Sequence, residues 1–174
     1  MAYTVTYFCT PALVKESSFI HQNVEDTIVK VGMKLVQDLY FEKIFGTPLY
    51  NKIIALIEAG TISGTDYETL MDDYVLPCYF SYCAYELAPH VNTEIRNKAV
   101  GKSGDSDISP ATETELEYLR NQLRGQAQKY EARLIGHLCD SVEADTYPEY
   151  SDYDADKKEQ VSPQKKTYLK TSFV

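Results

Sequence analysis

Tryptophan is absent from this 174-residue chain, and only three histidines, four cysteines and eight glycines are present. Each shortage closes off chemistry. His21, His90 and His137 lie in separate segments and belong to no HExxH or ExxH pattern, so no zinc or di-iron site is readable. His137 and Cys139 stand two positions apart, which on a helix points them to different faces. Cys9, Cys78, Cys83 and Cys139 form no CxxC pair, the pattern of buried thiols in a reducing compartment rather than of a disulfide framework. A nucleophile could be built only by bringing Cys78 or Cys83 to His90, and both cysteines fall in an apolar stretch where burial raises the thiol pKa. Gly60 to Gly64, GTISG, lacks the lysine and the preceding strand of a phosphate loop. Asp72 and Asp73, like Glu113, Glu115 and Glu117, sit on helix surfaces or at N-termini, where solvation and the helix dipole account for them. The sequence therefore predicts no catalytic residues, no metal ligands and no cofactor.

Long apolar runs are missing too. The longest stretch without a charge, Tyr74 to Tyr85, contains Pro77 and several tyrosines, whereas a membrane span needs about 20 mostly apolar residues. The first residues, MAYTVTYFCTPALVKE, have no basic start followed by an apolar core, so the reading is of a chain that matures in a cytosol without a membrane partner. Positive charge is scarce: 17 Lys and Arg against 26 Asp and Glu leave a formal charge of −9. That balance argues against tight, non-specific binding of nucleic acid.

What is present is helical patterning over an ordinary single-domain length. Asn23 is a candidate cap for a first helix running to Phe45. Ile28, Val31, Leu35 and Leu39 make one apolar row on it, and Val29, Met33, Val36, Tyr40 and Ile44 a second. So wide a face predicts a central helix with more than one neighbour. Gly46 breaks the pattern, and Thr47 with Pro48 starts a second helix to Ala59, ended by Gly60 at a left-handed cap. Thr65 and Glu68 have capping-box spacing before a third helix, which Pro77 must kink or divide. From His90 to Ala111 the periodicity vanishes, predicting a loop or hairpin that carries Arg96, Lys98 and Lys102. Thr112 and Glu115 form a second capping box. Leu116, Leu119, Leu123, Ala127, Tyr130, Leu134 and Leu138 then mark a long helix to about Cys139. Arg120, Arg124, Lys129 and Arg133 lie along it, read as a solvated face or, more sharply, a contact to an acidic neighbour.

The expected fold is all-α, a helical bundle of about four helices over residues 23–144, with arms at both ends. Residues 1–22 read as an extended N-terminal arm. Tyr3, Val5 and Tyr7 alternate there at strand period and need either a neighbour's sheet edge or a turn back onto the domain. Residues 145–174 read as a C-terminal arm ordered on a partner, since they are polar yet carry Tyr147, Tyr150, Tyr153, Tyr168, Leu169 and Phe173 as anchors. These aromatic residues and the basic loop are the expected interface.

The segments LYFEKIFGTPLYNKII, DYETLMDDYVLPCYFSYCAYELAP and NTEIRNKAVG, followed by the long last helix, resemble the head-to-tail connector (adaptor or neck ring) proteins of tailed bacteriophages, especially of the crAss-like type. The resemblance covers residues 22–140 and is one of helices and turns. It implies a virion protein made in the host cytoplasm, forming a homo-oligomeric ring of about twelve subunits closed by heterologous contacts. Such a ring lies under the portal protein, meets tail or neck proteins below, and passes DNA without binding it specifically. A wall of negative charge suits that passage. Two other classes stand beside it: a cellular helical adaptor or regulator that uses the aromatic arms on one protein partner, and an enzyme built from scattered His, Cys and acids, for which the sequence offers no positive signal.

Overall fold

The computed structural model describes residues 5–96, 99–102 and 112–150; around the hairpin, from 91 to 102, and at Glu143 only the backbone is described. The chain folds as an all-α helical bundle with one short β-hairpin.

The first element is α1 (Pro11–Ser17). Thr10 caps it through its hydroxyl, which accepts from the Leu13 N–H at 3.3 Å, and Pro11 takes the position where a missing N–H costs nothing. Lys15 then fastens α1 to the next helix, donating to Asp26 at 2.7 Å and to the Gln22 carbonyl at 3.2 Å. The bond from Lys15 and its charge hold the Asp26 carboxyl below its ordinary value.

Helix α2 (Asp26–Val36) begins three residues after the expected Asn23. Glu25 precedes it without a side-chain cap, and the Asn23 N–H is instead taken by His21 Nδ1 at 3.2 Å. It runs through a π-turn, Gln37–Phe41, into α3 (Glu42–Ala59). Within α3, Gly46 is not helical: at φ 70 and ψ 159 it occupies backbone space essentially reserved for glycine, so the chain turns there as its sequence predicts. Gly60, at φ 64, ends α3 in the left-handed cap, and the Thr61 N–H reaches back to the Leu56 carbonyl at 3.0 Å.

Helix α4 (Asp66–Leu70) passes through a second π-turn, Met71–Val75, into α5 (Leu76–Asn92). The break expected of Pro77 takes this form: the widened turn immediately precedes the proline and the axis continues. The expected capping box at Thr65 does not form. The Thr65 hydroxyl donates to Ile62, and Glu68 accepts from the Gly64 N–H at 2.7 Å and from Ser63. The hairpin follows, β1 (Thr93–Arg96) antiparallel to β2 (Ala99–Lys102), with Thr93 opposite Lys102 and Arg96 opposite Ala99. Helix α6 (Glu113–Glu143) opens on the expected box, with Thr112 and Glu115 bonded reciprocally.

α5 lies at the centre, with α2 on one flank and α6 on another. α6 runs antiparallel to it, since Tyr74 meets His137 while Tyr85 meets Arg120. The core gathers Met33, Phe41, Phe45, Leu49, Ile53, Leu70, Tyr79, Leu87, Leu134 and Leu138, all essentially without solvent contact. Among the described residues Gln37 is the one non-aromatic polar side chain sealed fully within it. Its amide donates to the Thr6 carbonyl at 3.2 Å and to Tyr50 Oη at 3.3 Å, while its Oε1 accepts from Tyr79 Oη at 3.2 Å, so both polar atoms of this side chain find partners.

Two expectations about the ends are corrected. Residues 5–22 are not an extended arm: they fold onto the bundle, because Phe8 finds a hub of rings in Phe41, Phe45, Tyr50 and Tyr79 at centroid distances of 5.3–6.3 Å. Nor does the C-terminal arm begin at Asp145. Tyr147 and Tyr150 are buried in this chain's own core, where they cap the end of the bundle.

Candidate interaction surface

Tyrosine chemistry dominates the described side chains, and most of it is structural. Tyr40 and Tyr82 stack at 4.0 Å, and each donates its hydroxyl to a glutamate at 2.5 Å, Glu86 and Glu131 respectively. Burial first, and then the neighbouring carboxylate, raise both phenols above their ordinary value. At the other end, Tyr67 donates to Glu149, whose carboxyl also meets Lys52 at 3.6 Å. Burial on its own would raise Glu149, but the Tyr67 bond and the Lys52 charge hold it below the usual carboxylate value. Tyr147 Oη lies 3.3 Å from both His137 Nε2 and the Asp66 carbonyl, and His137 stacks flat on Tyr74 at 3.9 Å. These contacts join α3, α4 and α6 to residues 147–150.

Burial pushes Cys9 up to about 12 and raises Cys78 and Cys83 further, which removes the thiolate needed for nucleophilic attack. Among the described residues no group of three or more His, Cys, Asp or Glu side chains is placed to hold a metal ion, and no helix is long and apolar enough to cross a membrane. A cleft of about 30 Å³ between Ser18, Phe19, Phe80 and Leu123 is too small for a metabolite. A shallow groove of about 290 Å³ on α6, lined by Gln126, Lys129, Tyr130 and Arg133, lies open to solvent.

What the fold leaves uncovered is apolar. On α2 the row Val29, Met33 and Val36 is buried, but the parallel row, which continues into the π-turn, is not: Ile28 is 37% exposed, Val31 71% and Leu39, in the π-turn, 55%, with Leu35 half-buried between them. The expectation of more than one neighbour is met, since α2 packs on α1 and α5, but the helix at the centre is α5 and the outer row of α2 stays largely uncovered. On the first turns of α6 the adjacent Tyr118 and Leu119 are 68% and 47% exposed, and Phe19 stands out at 79%. Isolated exposed side chains are ordinary, whereas a row at helical spacing is a seam awaiting a partner.

The expected interface residues are dispersed. Val5 and Tyr7 are half-buried, Tyr7 against the core, and Tyr147 and Tyr150 are buried. Arg96 sits beside the hairpin turn and Lys102 at its base. Tyr3, Lys98, Tyr153, Tyr168, Leu169 and Phe173 lie outside the described residues. The basic face of α6 is partly engaged by this chain's own rings: the Arg120 guanidinium lies 4.9 Å from Tyr85 and that of Arg133 4.8 Å from Tyr74. The outer row of α2 was legible as apolar but not as exposed, since periodicity cannot say which of two rows a neighbour covers.

A family model matches residues 41–161, from the π-turn through α6 and beyond, and its description is a family of unknown function, DUF6712. The chain belongs to this family. The matched stretch holds the central helix α5 and α6 but leaves out α1 and α2, so the outer row Ile28, Val31, Leu35 and Leu39 lies before it. No curated protein and no solved structure matches the chain.

Proposed function

We propose that this chain is a structural assembly subunit, the head-to-tail connector of a tailed phage, forming an oligomeric ring beneath the portal. The observation that carries the reading is the uncovered apolar row Ile28, Val31, Leu35 and Leu39 on a helix whose opposite row is fully buried. Exposing such a row is costly in a free monomer and ordinary in a subunit. Net charge supports the same reading, because an excess of nine acids lines a channel with repulsion and DNA slides without adhering. The resemblance of residues 22–140 to connector proteins supplies the position: portal above, tail or neck proteins below.

Gold-labelled antibody against the chain, viewed by electron microscopy on intact particles, is expected to mark the neck. Label elsewhere on the particle, or none, overturns the assignment. A second arm of the test removes residues 151–174, which spares the buried Tyr147 and Tyr150. Such particles are expected to lose tails or leak DNA; normal infectivity from them removes the C-terminal anchors Tyr153, Tyr168, Leu169 and Phe173 from the interface.

A further inference from the structure

We infer that the residues following Tyr150 dock on this chain's own α6, with Asp152 against Arg133 and Asp154 against Lys129. Residues 151–156, SDYDAD, lie outside the described residues, but the surface that would receive them does not. Lys129 and Arg133 stand exposed one turn apart on α6 and line, with Gln126 and Tyr130, the shallow groove described above. Arg133 also lies over the Tyr74 ring. Among the described residues neither cation has a carboxylate partner, the ion pairs there being Lys15 with Asp26, Lys34 with Asp38 and Lys52 with Glu149.

Spacing picks the occupant. Positions four apart on a helix advance about 6 Å along its axis, and alternate positions of an extended chain about 6.6 Å, with their side chains on one side. Asp152, Asp154 and Asp156 are alternate positions, so an extended segment sets carboxylates at the interval at which Arg133 and Lys129 set cations. The place where the described chain ends is close by. Tyr147 meets His137, which stands four positions beyond Arg133 on α6, about 6 Å along the axis, and six extended residues cover about 20 Å. Charge sets the direction. Asp140 and Asp73 surround His137 with negative potential and repel further acids from that end of α6, whereas Arg133 and Lys129 lie the other way. Lys52, on the far side of Tyr147, is already engaged by Glu149. The segment therefore runs back along α6, antiparallel to it, with Ser151, Tyr153 and Ala155 on its outer side. Exposed ion pairs are individually weak, and a tether this short supplies the millimolar effective concentration that lets two of them hold within one chain. The inference stands apart from the ring reading, since it concerns a single chain and holds whether or not copies assemble.

The test treats the full chain with a carbodiimide, which joins a carboxylate to a lysine amine in contact with it as an amide, and maps the product by peptide mass spectrometry. An amide between Lys129 and Asp154 is expected. Asp154→Asn, which leaves the bundle untouched, is expected to abolish it, and Asp156→Asn to leave it in place. Arg133→Glu is expected to lower its yield about two- to fivefold, the share that one exposed ion pair allows, and Arg133→Glu with Asp152→Arg to recover it. Mixing chains labelled with heavy nitrogen and unlabelled chains shows which copy supplies the aspartate. Cross-linked peptides whose two halves carry the same isotope are expected, and halves of different isotope overturn docking within one chain. Lys129 joined equally to Asp152, Asp154 and Asp156 overturns the register. Aspartates of 151–156 joined to other lysines of the bundle but not to Lys129, or to none, overturn the inference altogether.

Discussion

Gly32 shows how closely α2 sits on α5. A Cβ built on it would lie 2.6 Å from Leu87 Cγ and Cδ2, and Leu87 is itself sealed in the core. Gly32→Ala is therefore expected to destabilise the fold by about 1–3 kcal/mol through overpacking, read as a lowered urea midpoint at unchanged slope. Gln37 carries a different lesson. Gln37→Leu removes the partners of the Thr6 carbonyl and weakens those of the Tyr50 and Tyr79 hydroxyls, at an expected cost of about 1–3 kcal/mol. Hydrogen exchange should then quicken around residues 6–9 before it does in α5. His137 ties stability to pH. Burial lowers its pKa from 6.5, with Arg133 adding to the effect while Asp140 and Asp73 oppose it. The folded chain thus holds the proton more weakly than the unfolded one. The ring's contribution is whole above pH 6.5 and is lost as pH falls below it. His137→Phe, which keeps the stack on Tyr74, is expected to flatten the fall in Tm between about pH 7 and 5.

Among the elements, those with a local signal were readable in sequence. Gly46, Gly60 and the Thr112 to Glu115 box each needed only their own neighbours to be interpreted, and each stands as expected. α1 announced itself in the same idiom, since Thr10 and Pro11 repeat the cap-then-proline order of Thr47 and Pro48, yet strand-like alternation at Tyr3 to Tyr7 outweighed it. The Thr65 box failed because Glu68 found the Gly64 amide, a competition that spacing alone does not reveal. Residues 145–150 were the larger miss. Their polar composition suggested an arm, but composition cannot show that Tyr147 would fit between His137 and Asp66. Tyr147→Ala, which empties a buried site, is expected to lower stability by about 3–5 kcal/mol, read as a lowered urea midpoint.

For the whole molecule, sequence patterning yielded the all-α class and the helix order, because both follow from periodicity and punctuation. It yielded the candidate site less well: which apolar row faces outward depends on where α5 runs, and that is settled by contacts such as Tyr79 with Met33, 46 positions apart. The docking of residues 5–9 also bears on synthesis. Phe8 is made before its ring partner Tyr79, which follows about 70 residues later, roughly 4–14 seconds at ordinary elongation rates. Throughout that interval the hub in which Phe8 will sit does not yet exist. The nascent chain carries a bare aromatic anchor until then, a target for any chaperone stationed at the tunnel exit.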